Sequence, residues 1–166
     1  MEVASKRHEN KQADTQIISR RNYFPVNRRD SVLLMISSCF FSIAGVYAAF
    51  SYLYLHSIVS IITTFVSVNY WRYAVNGARR TADLIISKVS FLIYFISGCI
   101  FVRDWFHLIV SISLCVGIIV LYKLSCHYWD QDSPSWVHFH FTFHICVAFQ
   151  QYLIVYNIVE YISSQT

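Results

Sequence analysis

The chain has little charge for its length. Only 13% of its 166 residues are Asp, Glu, Lys or Arg, whereas a soluble globular domain carries about 25%. Many of these charges stand in the first thirty positions, and long stretches of the remaining sequence are almost uncharged. Hydrophobic residues make up 56% of the chain, and the mean hydropathy is +0.46. This composition excludes an ordinary soluble domain and predicts a multi-pass integral membrane protein.

Several motifs that would indicate a specific chemistry are missing. The sequence has no glycine-rich phosphate loop and no dinucleotide fingerprint, and its five cysteines include no C-x-x-C pair. We therefore expect free thiols, and no nucleic-acid partner is predicted. The beginning does not resemble a secretory signal peptide, because charged residues fill the place of the apolar region. Strands are excluded from the apolar runs, because an open sheet edge cannot be satisfied in lipid.

The apolar runs predict an all-α transmembrane helical bundle of about five spans. A run of ~20 apolar residues is long enough to cross ~30 Å of hydrocarbon as a helix. The boundary between the first two spans has no glycine or proline to mark it, whereas Gly77 introduces the third. The predicted spans, within a transmembrane domain of residues 30–162, are residues 31–50, 54–74, 82–102, 106–125 and 135–159.

Basic residues predict the orientation of these spans. Lys and Arg are concentrated in residues 1–29, in the loop after the second span and at the end of the fourth, whereas Arg103 lies on the opposite side. Because basic loops face the cytoplasm, we expect the N-terminus inside and the C-terminus outside. Residues 1–29 are predicted to be a flexible cytoplasmic arm. The arm is either a solvated tail or a contact for anionic lipid, at ~1 kcal/mol for each basic residue near the surface.

This topology brings polar residues from three spans to the inner leaflet. Ser67 lies near the end of the second span, Asp83 at the start of the third, and His138, His140 and His144 at the start of the fifth. The last two histidines are four residues apart and share a helix face, a spacing that suits a metal such as zinc. Interhelical hydrogen bonds are the alternative for this pair.

The same inner-leaflet residues allow different roles for the acid and for the remaining histidine. Asp83 could orient an imidazole, hold a metal-bound water or accept a proton. Alternatively, it favours the N-terminal end of its helix or pairs with Arg79 or Arg80. His138 lies within a turn of Trp136, and we expect it to be hydrated at the interface.

The segments "SVNYW", Ser67 to Trp71, and "HFTFH", His140 to His144, together with Asp83, resemble a motif set of known membrane hydrolases. This superfamily groups the alkaline ceramidases, the progestin and adipoQ receptors and the GPI-remodelling lipid hydrolases. Its pattern is S-x-x-x-H at the end of one helix, an aspartate at the start of the next, and H-x-x-x-H in the last helix. The resemblance implies that His140 and His144 hold zinc and that Ser67 and Asp83 line the site.

The sequence departs from the family at one ligand position. Trp71 stands where the third zinc-binding histidine is expected, and the family has more spans. Since catalytic zinc usually takes three protein ligands, Asp83, His138 or His127 would have to supply the third.

Two functions follow from these observations. The first is a non-enzymatic structural or interaction protein, which the tryptophan and the reduced number of spans favour. The alternative is a small zinc-dependent membrane lipid hydrolase acting on an amide or ester at the inner leaflet. In that alternative His140 and His144 bind the metal, and Ser67 and Asp83 are catalytic. The sequence predicts two partners, the lipid bilayer and anionic lipid at the N-terminal arm, and it indicates no particular protein partner.

Overall fold

The computed structural model describes residues 26–74 and 77–165, and every regular element within them is an α-helix. The prediction of an all-α helical bundle is confirmed. The predicted basic arm lies almost wholly outside the described residues, and so does its contact with anionic lipid. The six helices are α1 (Arg28–Cys39), α2 (Phe41–Phe50), α3 (Tyr54–Trp71), α4 (Ala78–Phe101), α5 (Trp105–Asp130) and α6 (Trp136–Ser163).

Helices α1 and α2 form one bent rod, which leaves five rods in the bundle. Phe40 alone separates them, and its backbone angles remain helical (φ −64°, ψ −24°). The hydroxyls of Ser37 and Ser38 donate to the carbonyl of Leu34 at 2.9 and 2.8 Å, and Ser42 donates to the carbonyl of Cys39 at 2.6 Å. Such back-bonding from serine often bends helices, which accounts for the interruption.

Four of the rods found in the described residues are long and apolar enough to cross a membrane: Arg28–Phe50, α4, α5 and α6. By this measure the chain is an integral membrane protein. Helix α3 has 18 residues, or about 27 Å at the helical rise, but it carries His56 and Asn69 among its apolar residues. A fifth crossing by α3, with the N-terminus inside, stays a prediction.

The helix ends differ from the predicted spans for physical reasons. Helix α4 begins at Ala78 rather than at 82, and α5 continues to Asp130 rather than ending at 125. Apolar runs mark only the part of a helix in hydrocarbon, whereas the backbone stays helical where charged side chains reach water. Helix α3 ends at Trp71 rather than at 74, and Ala74 has a positive φ of 44°. Tyr52, with φ 60°, makes the first turn without a glycine.

Helix α6 is the centre of the bundle and packs against α1, α2, α4 and α5. Helix α3 packs between α2 and α4, and a Cβ on Gly45 would lie 3.0 Å from the Cβ of Ser60. Small residues allow this close approach of helices within a membrane. Over the described residues, α4 and α5 have almost no contact with each other, although both pack on α6. The candidate site lies in the space that they leave.

Candidate functional site

Four polar side chains form a buried cluster at the inner end of the bundle, as defined by the predicted orientation. The Ser37 hydroxyl lies 2.8 Å from Nδ1 of His144, and the Ser38 hydroxyl lies 3.4 Å from the same atom. Ser38 is also 3.0 Å from the hydroxyl of Ser67. None of these four side chains exceeds 3% exposure. The hydrogen bonds tie α1, α3 and α6 together and satisfy polar groups that would be costly in lipid.

His140 lies beside this cluster on the same face of α6. Its ring centroid is 4.7 Å from that of His144, with an interplanar angle of 68°. Nδ1 of His140 is 3.1 Å from the hydroxyl of Ser125 on α5. Each imidazole is therefore oriented by a serine from another helix. This is the arrangement expected if the two histidines form interhelical hydrogen bonds.

Trp71 packs against both imidazoles. Its ring centroid is 4.9 Å from that of His140 and 6.3 Å from that of His144, in edge-on arrangements. Trp136 stacks on Trp71 with the ring centroids 6.1 Å apart and also lies 6.3 Å from the ring of His140, and the Ser31 hydroxyl donates to the Trp71 carbonyl. The tryptophan is 4% exposed, so its indole ring fills the space beside the two histidines.

Asp83, on α4, lines the same cavity as Ser67. The carboxylate atom Oδ1 is buried and has no hydrogen-bond partner among residues 26–74 and 77–165. The structure thus brings Ser67, Asp83, His140 and His144 around one cavity. His138, in contrast, is exposed.

The donor set does not fit a catalytic zinc ion. Nowhere in the described part of the chain are three or more His, Cys, Asp or Glu side chains placed to hold a metal. His140 and His144 supply two ligands where three are usual. An indole N–H is only a donor, so Trp71 cannot replace the missing histidine. His127 is exposed and lies 3.1 Å from the Gln131 amide nitrogen.

The cavity, here called the α4–α5 cleft, has a volume of about 450 Å³. Helices α4 and α5 form its walls and α6 forms its floor. The side chains at its rim are exposed on the outer surface of the bundle, so the cleft opens sideways, toward the lipid. These rim residues are Leu84, Lys88, Phe91, Phe95, Ile119, Tyr122 and Lys123.

Two glutamines on α6 place further polar groups in the α4–α5 cleft, deeper in the bundle. Gln151 donates to the Ser90 hydroxyl at 3.2 Å, and Gln150 donates to the Ser111 hydroxyl. The Oε1 atoms of both amides are buried and have no partner in the described ranges. Sequence reasoning missed these residues and the three serines that orient the histidines. The pairs "SS" (Ser37 and Ser38) and "QQ" (Gln150 and Gln151) within apolar runs pointed to polar groups but not to their partners, and Ser125 had no such signal.

At the opposite end of the bundle, three pairs of polar side chains among the described residues are hydrogen-bonded. His56 Nε2 is 2.9 Å from the Ser97 hydroxyl, and Tyr94 lies 2.6 Å from the Ser60 hydroxyl. His107 Nδ1 is 3.1 Å from Oδ1 of Asn157. These pairs join α3 to α4 and α5 to α6, and of their six residues only Tyr94 lines the α4–α5 cleft.

Comparison of the chain with protein-family models, with curated proteins and with solved structures gives no match. The resemblance to the membrane hydrolases therefore stays a prediction, and the argument for function rests on the site.

Proposed function

We propose that this chain is a non-enzymatic integral membrane protein that binds a membrane lipid in the α4–α5 cleft. The observation that carries the proposal is a cavity of about 450 Å³ between two apolar helices, open toward the lipid and polar at its inner end. Ligand sites are typically concave, mostly apolar and about 300–1,000 Å³ in volume, with a few convergent polar groups. A lipid offers chains for the apolar walls and a head group for the polar end.

The hydrogen-bonded serines support a non-enzymatic role. Ser37 and Ser38 are 0% exposed, so a substrate cannot reach their hydroxyls. Their bonds to His144 and to the Leu34 carbonyl are the interhelical and local bonds of a structural cluster. A nucleophile needs an accessible oxygen beside its base.

Photo-crosslinking in vesicles tests lipid binding. The protein is reconstituted with phosphatidylcholine that carries a diazirine on one acyl chain, irradiated, and mapped by peptide mass spectrometry. Phe91 and Ile119 line the cleft and are 47% and 48% exposed, whereas Leu92 and Ile112 lie outside it and are 56% exposed each. We expect the cleft pair to be labelled more strongly than the more exposed outer pair.

A blocking variant sharpens this test. Cys115→Trp places a large side chain in the cleft and should remove the excess labelling of Phe91 and Ile119. The matched control Ile112→Trp changes an exposed position on the same helix and should leave it intact. Labelling in proportion to exposure alone would contradict the proposal.

The zinc-dependent lipid hydrolase is the second candidate, because Ser67, Asp83, His140 and His144 do line one cavity. The metal content of purified protein tests it, in the wild type and in a His140→Ala, His144→Ala double variant. Gentle extraction and added zinc guard against loss of the metal. About one zinc per chain, absent from the variant, would favour the hydrolase over the proposal above. No zinc in either protein would remove this candidate.

A further inference from the structure

We infer that the lipid in the α4–α5 cleft is an aminophospholipid, with its primary ammonium on Asp83 and its phosphate on Lys88 and Lys123. The inference rests on the proposed lipid-binding function and adds the chemistry of the head group. The three residues are the Asp and Lys side chains that line the cleft within the described residues.

The acidic part of the site calls for a hydrogen-bond donor. Oδ1 of Asp83 is buried and, within the described ranges, lacks a hydrogen-bond partner. An isolated carboxylate in a low-dielectric surrounding is costly unless it is paired and hydrogen-bonded. A primary ammonium supplies both the opposite charge and N–H donors. The Ser87 hydroxyl also lines the cleft and can accept from the same group.

Two lysines that line the cleft, one on each wall, form the basic part of the site. Lys88 lies on α4, five residues after Asp83, which corresponds to about 7.5 Å along the helix. Lys123 lies on α5 across the opening, and both lysines are exposed at the rim. Neither has an ion pair or side-chain hydrogen bond with another described residue. Lysine binds phosphate as a flexible point charge, and its long stem lets the ammonium reach along the rim.

This combination selects among lipid head groups. An anionic lipid without an amine would satisfy the lysines but leave Asp83 unpaired beside a negative charge. A choline head group carries the positive charge but has no N–H to donate. A head group with both a phosphate and a primary ammonium satisfies all three side chains. The predicted orientation places this site at the inner leaflet, where the head group would enter sideways between α4 and α5.

Competition among head groups tests the inference on the wild-type protein. Phosphatidylethanolamine, phosphatidylcholine and phosphatidylglycerol with identical chains compete against the diazirine lipid for labelling of Phe91 and Ile119. We expect phosphatidylethanolamine to compete about tenfold better than either other lipid, because hydrogen bonds to a charged group are worth about one factor of ten or more. Equal competition by phosphatidylethanolamine and phosphatidylcholine would overturn the inference.

Variants then assign the preference to side chains. Asp83→Asn should abolish the advantage of phosphatidylethanolamine over phosphatidylglycerol, whereas Asp104→Asn, at an exposed acid near the opposite end, should not. Lys88→Met with Lys123→Met should weaken all three lipids, and the corresponding pair of arginine substitutions should retain binding. A preference that survives Asp83→Asn would contradict the assignment.

Different results would overturn the aminophospholipid inference and the lipid-binding proposal. Cleft labelling that is the same for all head groups overturns the aminophospholipid inference and leaves lipid binding in place. Labelling that shows no excess in the cleft overturns both.

Discussion

Buried polar side chains are paired with each other at the outer end of the bundle, whereas several in the α4–α5 cleft keep an unpaired atom. At the outer end, His56 pairs with Ser97 and Tyr94 pairs with Ser60, and each bond joins α3 to α4. In the cleft, Asp83, Gln150 and Gln151 each have an atom that is unpaired with respect to the described residues. Paired groups hold helices together, whereas unpaired ones in a cavity are available to a ligand.

The packing explains the difference. Helices α2, α3 and α4 are in contact near the outer end, where Tyr94 belongs to a buried apolar cluster with Ala48 and Ile154. Helices α4 and α5 instead both pack on α6, and within the described residues they have almost no contact with each other. Gln150 and Gln151 on α6 each reach one serine, on α5 and on α4 respectively. Because α4 and α5 do not close over them, the amide oxygen of each stays unpaired among the described residues.

The largest predicted effect comes from removing a paired group next to the cleft. His144→Ala should lower the free energy of unfolding by roughly 3 kcal/mol, because it leaves a cavity and removes the bonds of the imidazole to Ser37 and Ser38. SDS-induced unfolding in mixed micelles measures the loss. The control His138→Ala changes an exposed histidine on the same helix and should change stability by less than about 0.5 kcal/mol. Equal effects of the two substitutions would contradict the structural role of the buried cluster.

A comparison of two amides tests the contrast directly. Asn157→Leu removes hydrogen bonds to His107 and to the Leu153 carbonyl and should cost about 1–2 kcal/mol. Gln151→Leu removes an amide with an unpaired oxygen and one weak bond to Ser90, so its cost should stay below about 0.5 kcal/mol. The same unfolding assay applies to both, and a larger cost for Gln151→Leu would reverse the contrast.

A small effect is also expected from removing one hydroxyl at the outer end. Tyr94→Phe removes the hydroxyl that bonds to the Ser60 hydroxyl and donates to the His56 carbonyl, without changing the ring. Interhelical hydrogen bonds in membranes average about 0.6 kcal/mol, and we expect a loss of this size in the unfolding assay. Ser97→Ala, which unpairs His56, should cost more, since it leaves a buried nitrogen without a partner. A stabilising effect of either substitution would count against a closed outer end.

Sequence reasoning predicted the helical fold well, because apolar runs in a membrane protein directly report the helices. It was less accurate at the helix ends. Helix α5 continues past the predicted end at residue 125 to Asp130, because the polar residues there form a helix that an apolar run does not mark. It also predicted that Ser67, Asp83, His140 and His144 come to the same leaflet; the structure places all four around one cavity, and the leaflet stays a prediction.

The partners of these residues could not be predicted. Ser37 and Ser125 orient the histidines, but a serine in an apolar run shows no preference for one helix face. The cleft itself depends on the distance between α4 and α5, which no local pattern encodes.

Native mass spectrometry of the gently extracted protein tests the central claim most directly, namely that the cleft holds a lipid. The account predicts about one retained lipid per chain in the wild type and in Ile112→Trp, and none in Cys115→Trp. A Cys115→Trp protein that retains as much lipid as the wild type, or a wild type that retains none, would contradict it.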